Sequence, residues 1–101
     1  MYFTEPVSYR DYQSYFDSNS SDCDYCKGNG YDDYYNAAKR YCEDNGGRLP
    51  TVAELQAGGY NNGGFWASEQ SDSDGTLVLD NGYVGSYNKD SLNVNVVCVG
   101  K

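Results

Sequence analysis

Four cysteines, at positions 23, 26, 42 and 98, constrain this chain more than any other feature. The reason is how little else it has to build a core from. Leu, Val and Phe together number 16 of the 101 residues, and Ile is absent. That share lies under the ~20% line below which a highly charged chain stays disordered. Two features oppose disorder. Sixteen aromatics, twelve of them Tyr, bury large areas each. Cross-links then support the small core that results.

Charge removes several function classes. Fifteen acids against seven bases give −8, shared equally as −4 in residues 1–50 and −4 in 51–101. Seven dispersed bases cannot neutralise a row of phosphates. Nucleic acid, heparin-like polymers and anionic membranes are therefore not expected partners. His is absent, so the commonest general base and metal ligand is missing. Ser-His and Cys-His nucleophile pairs are impossible. No catalytic residues, cofactor or metal ligands are expected. The apolar runs are too short to span a bilayer. With Met1 directly before a polar Tyr-rich stretch, we expect a fragment whose native leader or anchor has been removed.

The cysteines allow three pairings. Zinc sites of four cysteines usually show two close pairs, and only Cys23 and Cys26 are close here. Two disulfides in an oxidising compartment fit better. Cys23-Asp24-Tyr25-Cys26 has the spacing of a redox dithiol. It stands among Ser, Asp, Asn and Gly, with no strand before it and no helix start at its first Cys, so a local loop staple is expected.

Along the chain, residues 1–7 read as extended. Tyr9, Tyr12, Gln13 and Phe16 at helical spacing, with Ser8 and Asp11 as a capping box, predict a short helix over Ser8–Phe16. Residues 17–30 read as pure loop. The clearest helix is capped by Asp32 or Asp33 and runs to about Asp44, with Tyr34, Ala37, Ala38, Tyr41 and Cys42 on one face. Asn45-Gly46-Gly47 stops it. Thr51 and Glu54 form a second capping box for a helix of about 52–57. Strands are predicted at Phe65–Ser68, Thr76–Leu79 and Tyr83–Tyr87, the last two joined at Asp80-Asn81-Gly82. A final strand, Asn93–Val99, places Val94, Val96 and Cys98 on one face. Helices first and an antiparallel sheet after them indicate α+β. If the main helix packs on that last strand's inner face, Cys42 meets Cys98, and Cys23 is left to Cys26.

Asn36 to Val99 carries a wider pattern. "NAAKRYCEDNGGRLPTVAELQ" is followed by "FWAS", "LVLDNGYVGSYNKD" and "VNVVCV". This resembles the C-type-lectin-like domains of bacterial surface proteins, of the Lcl-type C-terminal kind and the invasin- and intimin-like adhesin tip kind. Cys42, Gly46, Gly47, Arg48, Leu49, Pro50, Thr51, Glu54, Leu55, Trp66 and Cys98 follow that pattern in order. The resemblance implies a C-type-lectin-like α+β fold, two short helices packed on a small antiparallel sheet, stapled by Cys42–Cys98. It divides the single domain, 1–101, into a Tyr-rich N-terminal extension with a loop, 1–35, and a core, 36–101. The Glu-Pro-Asn and Trp-Asn-Asp signatures of calcium-dependent sugar binding are missing, and the Arg of Lcl-type domains before the last Cys is Val97 here.

Candidate sites follow from residue type. Arg48 reads as a structural cation paired with an acid or with the carbonyl end of the first helix, its other role being to grip a ligand carboxylate. Trp66 reads as core rather than as a sugar platform. Asp72–Asp74 and Asp17–Asp22 alternate as calcium loops do, without completing the twelve-residue pattern. The loops around Tyr60-Asn61-Asn62 and Tyr87-Asn88-Lys89-Asp90, with Tyr60, Asn61, Asn62, Tyr87 and Asn88, and the Glu69–Asp74 segment, with Glu69, Asp72 and Asp74, are the candidates for ligand binding, because Tyr and Asn give contact area and adaptable hydrogen bonding. The function these readings favour is a non-enzymatic recognition module of a bacterial adhesin-type protein. It would be extracellular or on the cell surface, bind a glycan or protein receptor, and make no membrane contact itself. The alternative is the globular head of a pilin-like subunit.

Overall fold

The main helix, α3 (Tyr34–Asp44), forms where the apolar spacing predicts it. The Asp33 side chain caps it by accepting from Asn36 N at 2.8 Å, and Asn45 N–H returns to the last carbonyls. Ala37, Ala38 and Cys42 are fully buried. Tyr35 is buried as well, while Tyr34 and Tyr41 are only half-buried. The computed structural model describes residues 2–72 and 74–100, and over these the chain is a small α+β domain with short helices, antiparallel sheets and two disulfides.

Upstream of α3 lie α1 (Tyr9–Tyr12), a 3-10 turn over Gln13–Tyr15, and α2 (Asp24–Asn29). The helix expected over Ser8–Phe16 is thus one α turn continued as 3-10. Asp11 accepts from Ser8 N at 3.1 Å. The expectation of pure loop over 17–30 is overturned by α2. Cys23 is its N-cap, with Sγ accepting from Cys26 N at 3.1 Å, and Gly30 ends it at φ +70°. A second cap comes from far away, since Asp74 Oδ1 accepts from Tyr25 N at 3.0 Å.

After α3, β1 (Gly47–Arg48) pairs antiparallel with β5 (Val99–Gly100). Gly47 is required there, because a Cβ would sit 2.5 Å from Val99 O. Next comes α4 (Val52–Ala57), where Thr51 Oγ1 accepts from Glu54 N and the Glu54 carboxylate accepts from Thr51 N. The main sheet is β2 (Gly64–Gln70), β3 (Gly75–Asp80) and β4 (Tyr83–Asn88), antiparallel and in that order. Asn81 and Gly82 both take positive φ, 49° and 88°, as an Asn-Gly hairpin turn needs.

The two faces of β2 and β3 bury different clusters. Trp66 and Val78 face α3, Cys42, Val94, Val96 and Cys98. Phe65, Ala67 and Leu79 face Leu55 of α4 and Val97. The expected final strand is corrected accordingly. Val94, Val96 and Cys98 do share a face, but on the opposite face Val97 and Val99 are buried too. Before β5, residues 93–98 make only single bridges, Val96 to Val7 and Asn95 to Phe65. The segment lies between the N-terminal residues and the edge of β2 and bridges each of them at one residue. Residues 2–7 run antiparallel to it, with Thr4 N on Cys98 O and Val7 N on Val96 O, each at 2.9 Å.

Both disulfides expected from the sequence are present, Cys42–Cys98 and Cys23–Cys26. All four cysteines are buried. Among the described residues no helix is long and apolar enough to cross a membrane.

Candidate functional site

The residues proposed for ligand binding fall at two poles of the β2–β3–β4 sheet. Asn61 and Asn62 lie in the α4–β2 turn beside the β3–β4 hairpin, where Gly63 N donates to Asn81 Oδ1 at 2.8 Å. Tyr60, next to them, is half-buried and packs edge-on against Phe3 and Phe65, both at 5.1 Å between centroids. Asp72, Asp74 and Asn88 lie at the opposite pole, since Gly75 pairs with Asn88. A six-residue strand separates the poles by about 20 Å. One ligand of sugar size cannot touch both.

Several of these side chains are already occupied. Asp72 Oδ1 accepts from Asp74 N at 2.8 Å, and Asp74 Oδ1 caps α2. Glu69 accepts from Val52 N at 2.9 Å at the start of α4. Tyr87 OH donates to Asp80 Oδ2 in a short bond, which pushes the phenol's pKa up. Among the described residues, no three acidic or thiol groups gather closely enough to hold a metal ion.

A buried polar junction ties the Asp74 pole to the helices. Lys89, expected in a ligand-binding loop, is instead fully buried and donates to Asp22 Oδ1 and Gln70 Oε1, both at 2.6 Å. Its ammonium also stands 5.4 Å from the Tyr35 ring centroid. Its carbonyl accepts from Tyr34 N and Tyr35 N at the start of α3. The hydrogen bond from Lys89 holds the Asp22 carboxyl below its ordinary pKa. Burial pushes Asp33 up, even though Asn36 N and the Ser21 hydroxyl both donate to it.

A concavity of about 440 Å³ lies elsewhere, between α3 and β2. From α3 it takes Tyr35, Lys39 and Glu43, spaced by four along one stripe. The end of β1 and the turn after it add Arg48, Leu49 and Thr51, and β2 adds Ser68 and Gln70, two apart on one face. Arg48 carries out its expected structural role: Nη1 and Nη2 donate to the two Glu54 carboxylate oxygens at 2.7 Å each. This hydrogen bonding holds Glu54 at a pKa of about 2. Trp66 is core, donating from Nε1 to Tyr12 OH at 3.0 Å, and Tyr12 OH donates to Val94 O at 2.7 Å.

Lys39, Glu43 and Ser68 are not among the residues expected from the sequence to bind a ligand, whereas Gln70 falls inside the Glu69–Asp74 segment that is. The stripe 35/39/43 and the pair 68/70 are visible as periodicities. That the two face each other is set by the packing of α3 on the sheet. No known family model matches the chain, and no curated protein or solved structure matches it either.

Proposed function

We propose that this chain is a non-enzymatic recognition module with a C-type-lectin-like arrangement, of the adhesin type, acting outside the cell on a glycan or protein receptor. The observation that carries this reading is the Cys42–Cys98 bridge, which joins α3 to the C-terminal segment around the Trp66 core. The helix, the Gly46–Thr51 turn, the second helix and the sheet that follow one another here come in the order of the resemblance. Buried disulfides favour an oxidising compartment. The two ends of the described chain also run side by side, with Gly100 N on Tyr2 O at 2.9 Å. Such a frame leaves the α3–β2 cleft and both sheet poles free for a partner.

The test is binding to glycan panels and to intact cells, against an unrelated disulfide-bonded domain of similar charge. Signal above that control, lost on thermal unfolding, is the expected result. Equal signal from the two proteins on both panels would sink the reading.

A further inference from the structure

We infer that the α3–β2 cleft is the ligand site and that it takes a saccharide bearing one carboxylate. The inference rests on the recognition reading and names its ligand class.

The hydrogen-bond balance of the cleft carries it. Lys39 is exposed and, among the described residues, makes no hydrogen bond or ion pair, although its charge reaches the Asp22 carboxylate. Arg48 has five N–H donors. Three are spent, two on Glu54 and one on Leu49 O, which leaves two. Gln70 Oε1 is taken by Lys89, so the amide is oriented by a buried ammonium, and among the described residues neither of its N–H donors is spent. Thr51 Oγ1 accepts from Glu54 N and still has its hydroxyl hydrogen. Against these donors the described residues of the cleft set one unspent carboxylate, Glu43. A site with such an excess of donors fits a ligand rich in acceptors, with a carboxylate for Lys39 and hydroxyls for Gln70, Thr51 and Glu43.

Two further facts narrow the class. A peptide that binds by adding a strand needs a free backbone edge to pair with. The β2 backbone in the cleft offers none, because Ser68 N donates to Pro50 O and Ser68 O accepts from Tyr35 OH. The volume, about 440 Å³, lies in the ~300–1,000 Å³ range of small-ligand sites. The chain's −8 charge repels a row of anions, whereas one carboxylate beside Lys39 is compensated locally. Charges beyond ~8 Å are screened at physiological salt.

The probes are a disaccharide capped with glucuronic acid and its glucose-capped neutral counterpart, titrated into the intact protein by amide NMR. The acidic probe should shift amides of residues 35–43, 48–51 and 68–70. It should bind at least tenfold more tightly than the neutral one. Lys39→Glu should weaken it tenfold or more, and Lys27→Glu, the same charge change outside the cleft, by less than twofold. Equal affinity for the two probes, equal effects of the two variants, or shifts confined to the sheet poles would overturn the assignment. So would the absence of shifts at about 10 mM probe, since that places Kd well above the millimolar range. An acidic peptide of equal charge that shifts the same amides more strongly would also overturn it, in favour of a protein ligand. The cell and glycan panels decide the wider reading independently: binding there with a silent cleft moves the site, and silence in both removes the recognition function.

Discussion

Residues 34–100 and residues 2–33 are ordered by different forces. The larger region is built on apolar stripes that meet, α3 on one face of β2 and β3 and α4 on the other. Within residues 2–33 the fully buried apolar residues are Tyr12, Cys23 and Cys26. That region is tied down by polar anchors reaching far along the chain: Tyr12 to Val94, Asp22 to Lys89, Tyr25 to Asp74. An apolar core loses stability steeply when it is opened, because every contact depends on its neighbours. A polar anchor fails locally, at about the cost of the bonds removed.

The largest expected effect breaks the first region. Replacing Cys42 and Cys98 together with Ser removes a closure of 57 residues (98 − 42 + 1). In the chain-entropy model this costs about 4 kcal/mol, a large share of what a domain of this size has. Chemical denaturation should show the double variant largely unfolded at ~37 °C.

Tyr12 is where the two regions join, and it comes second. Tyr12→Phe leaves both Trp66 Nε1 and Val94 O buried without a partner. At ~1–3 kcal/mol for each of the two orphaned groups, the loss should be about 2–6 kcal/mol. Alkaline titration probes the same phenol. Burial pushes Tyr12 and Tyr35 up to about 12, against ~10 when unfolded. The unfolded chain therefore loses these protons first. Stability is intact below pH ~10 and drains away between ~10 and ~12. The decline should be shallower in Tyr12→Phe, and an equal decline would separate Tyr12 from the core.

What could be read in advance follows the same division. α3, α4 and the Asn81-Gly82 hairpin are each specified within about a dozen residues, by a stripe, a capping box or a turn pair. α2 is not. Its sequence, DYCKGN, buries only Cys26, includes Gly28, and takes one cap from Asp74. No window around Cys23 contains that carboxylate. The separation of the candidate loops followed from topology alone, because successive antiparallel turns alternate between the ends of a sheet. The cleft is different again: Lys39 and Gln70 belong to clear periodicities, but only tertiary packing sets one opposite the other.

Smaller effects test whether the N-terminal region is locally held. Replacing Cys23 and Cys26 with Ser opens a four-residue loop, worth roughly 2 kcal/mol in the same model. The loss should be confined to residues near α2 in hydrogen exchange, leaving the protection of α3 and β3 unchanged. Protection lost equally across the sheet would show that α2 and the core unfold as one unit. Asp74→Ala removes the distant cap and should cost ~1 kcal/mol. In the Cys23/Cys26 double variant it should cost less, since the helix it caps is already loosened.

Calcium should matter least. The Asp72–Asp74 turn alternates acids as calcium loops do, and a calcium site gathers about six to eight oxygens. Here one Asp72 oxygen is taken by Asp74 N and one Asp74 oxygen by Tyr25 N. A metal drawing on these carboxylates would have to compete with the turn's own hydrogen bond and with the α2 cap. Any divalent ion still relieves part of the self-repulsion of a −8 chain. Millimolar calcium and magnesium should therefore raise the melting temperature slightly and by similar amounts. Specific binding at a hundredfold excess over Kd would add ~2.7 kcal/mol. A calcium-selective rise of that size, abolished by Asp72→Asn, would show that the polar anchor of α2 is also a metal site and that the two regions are joined by an ion.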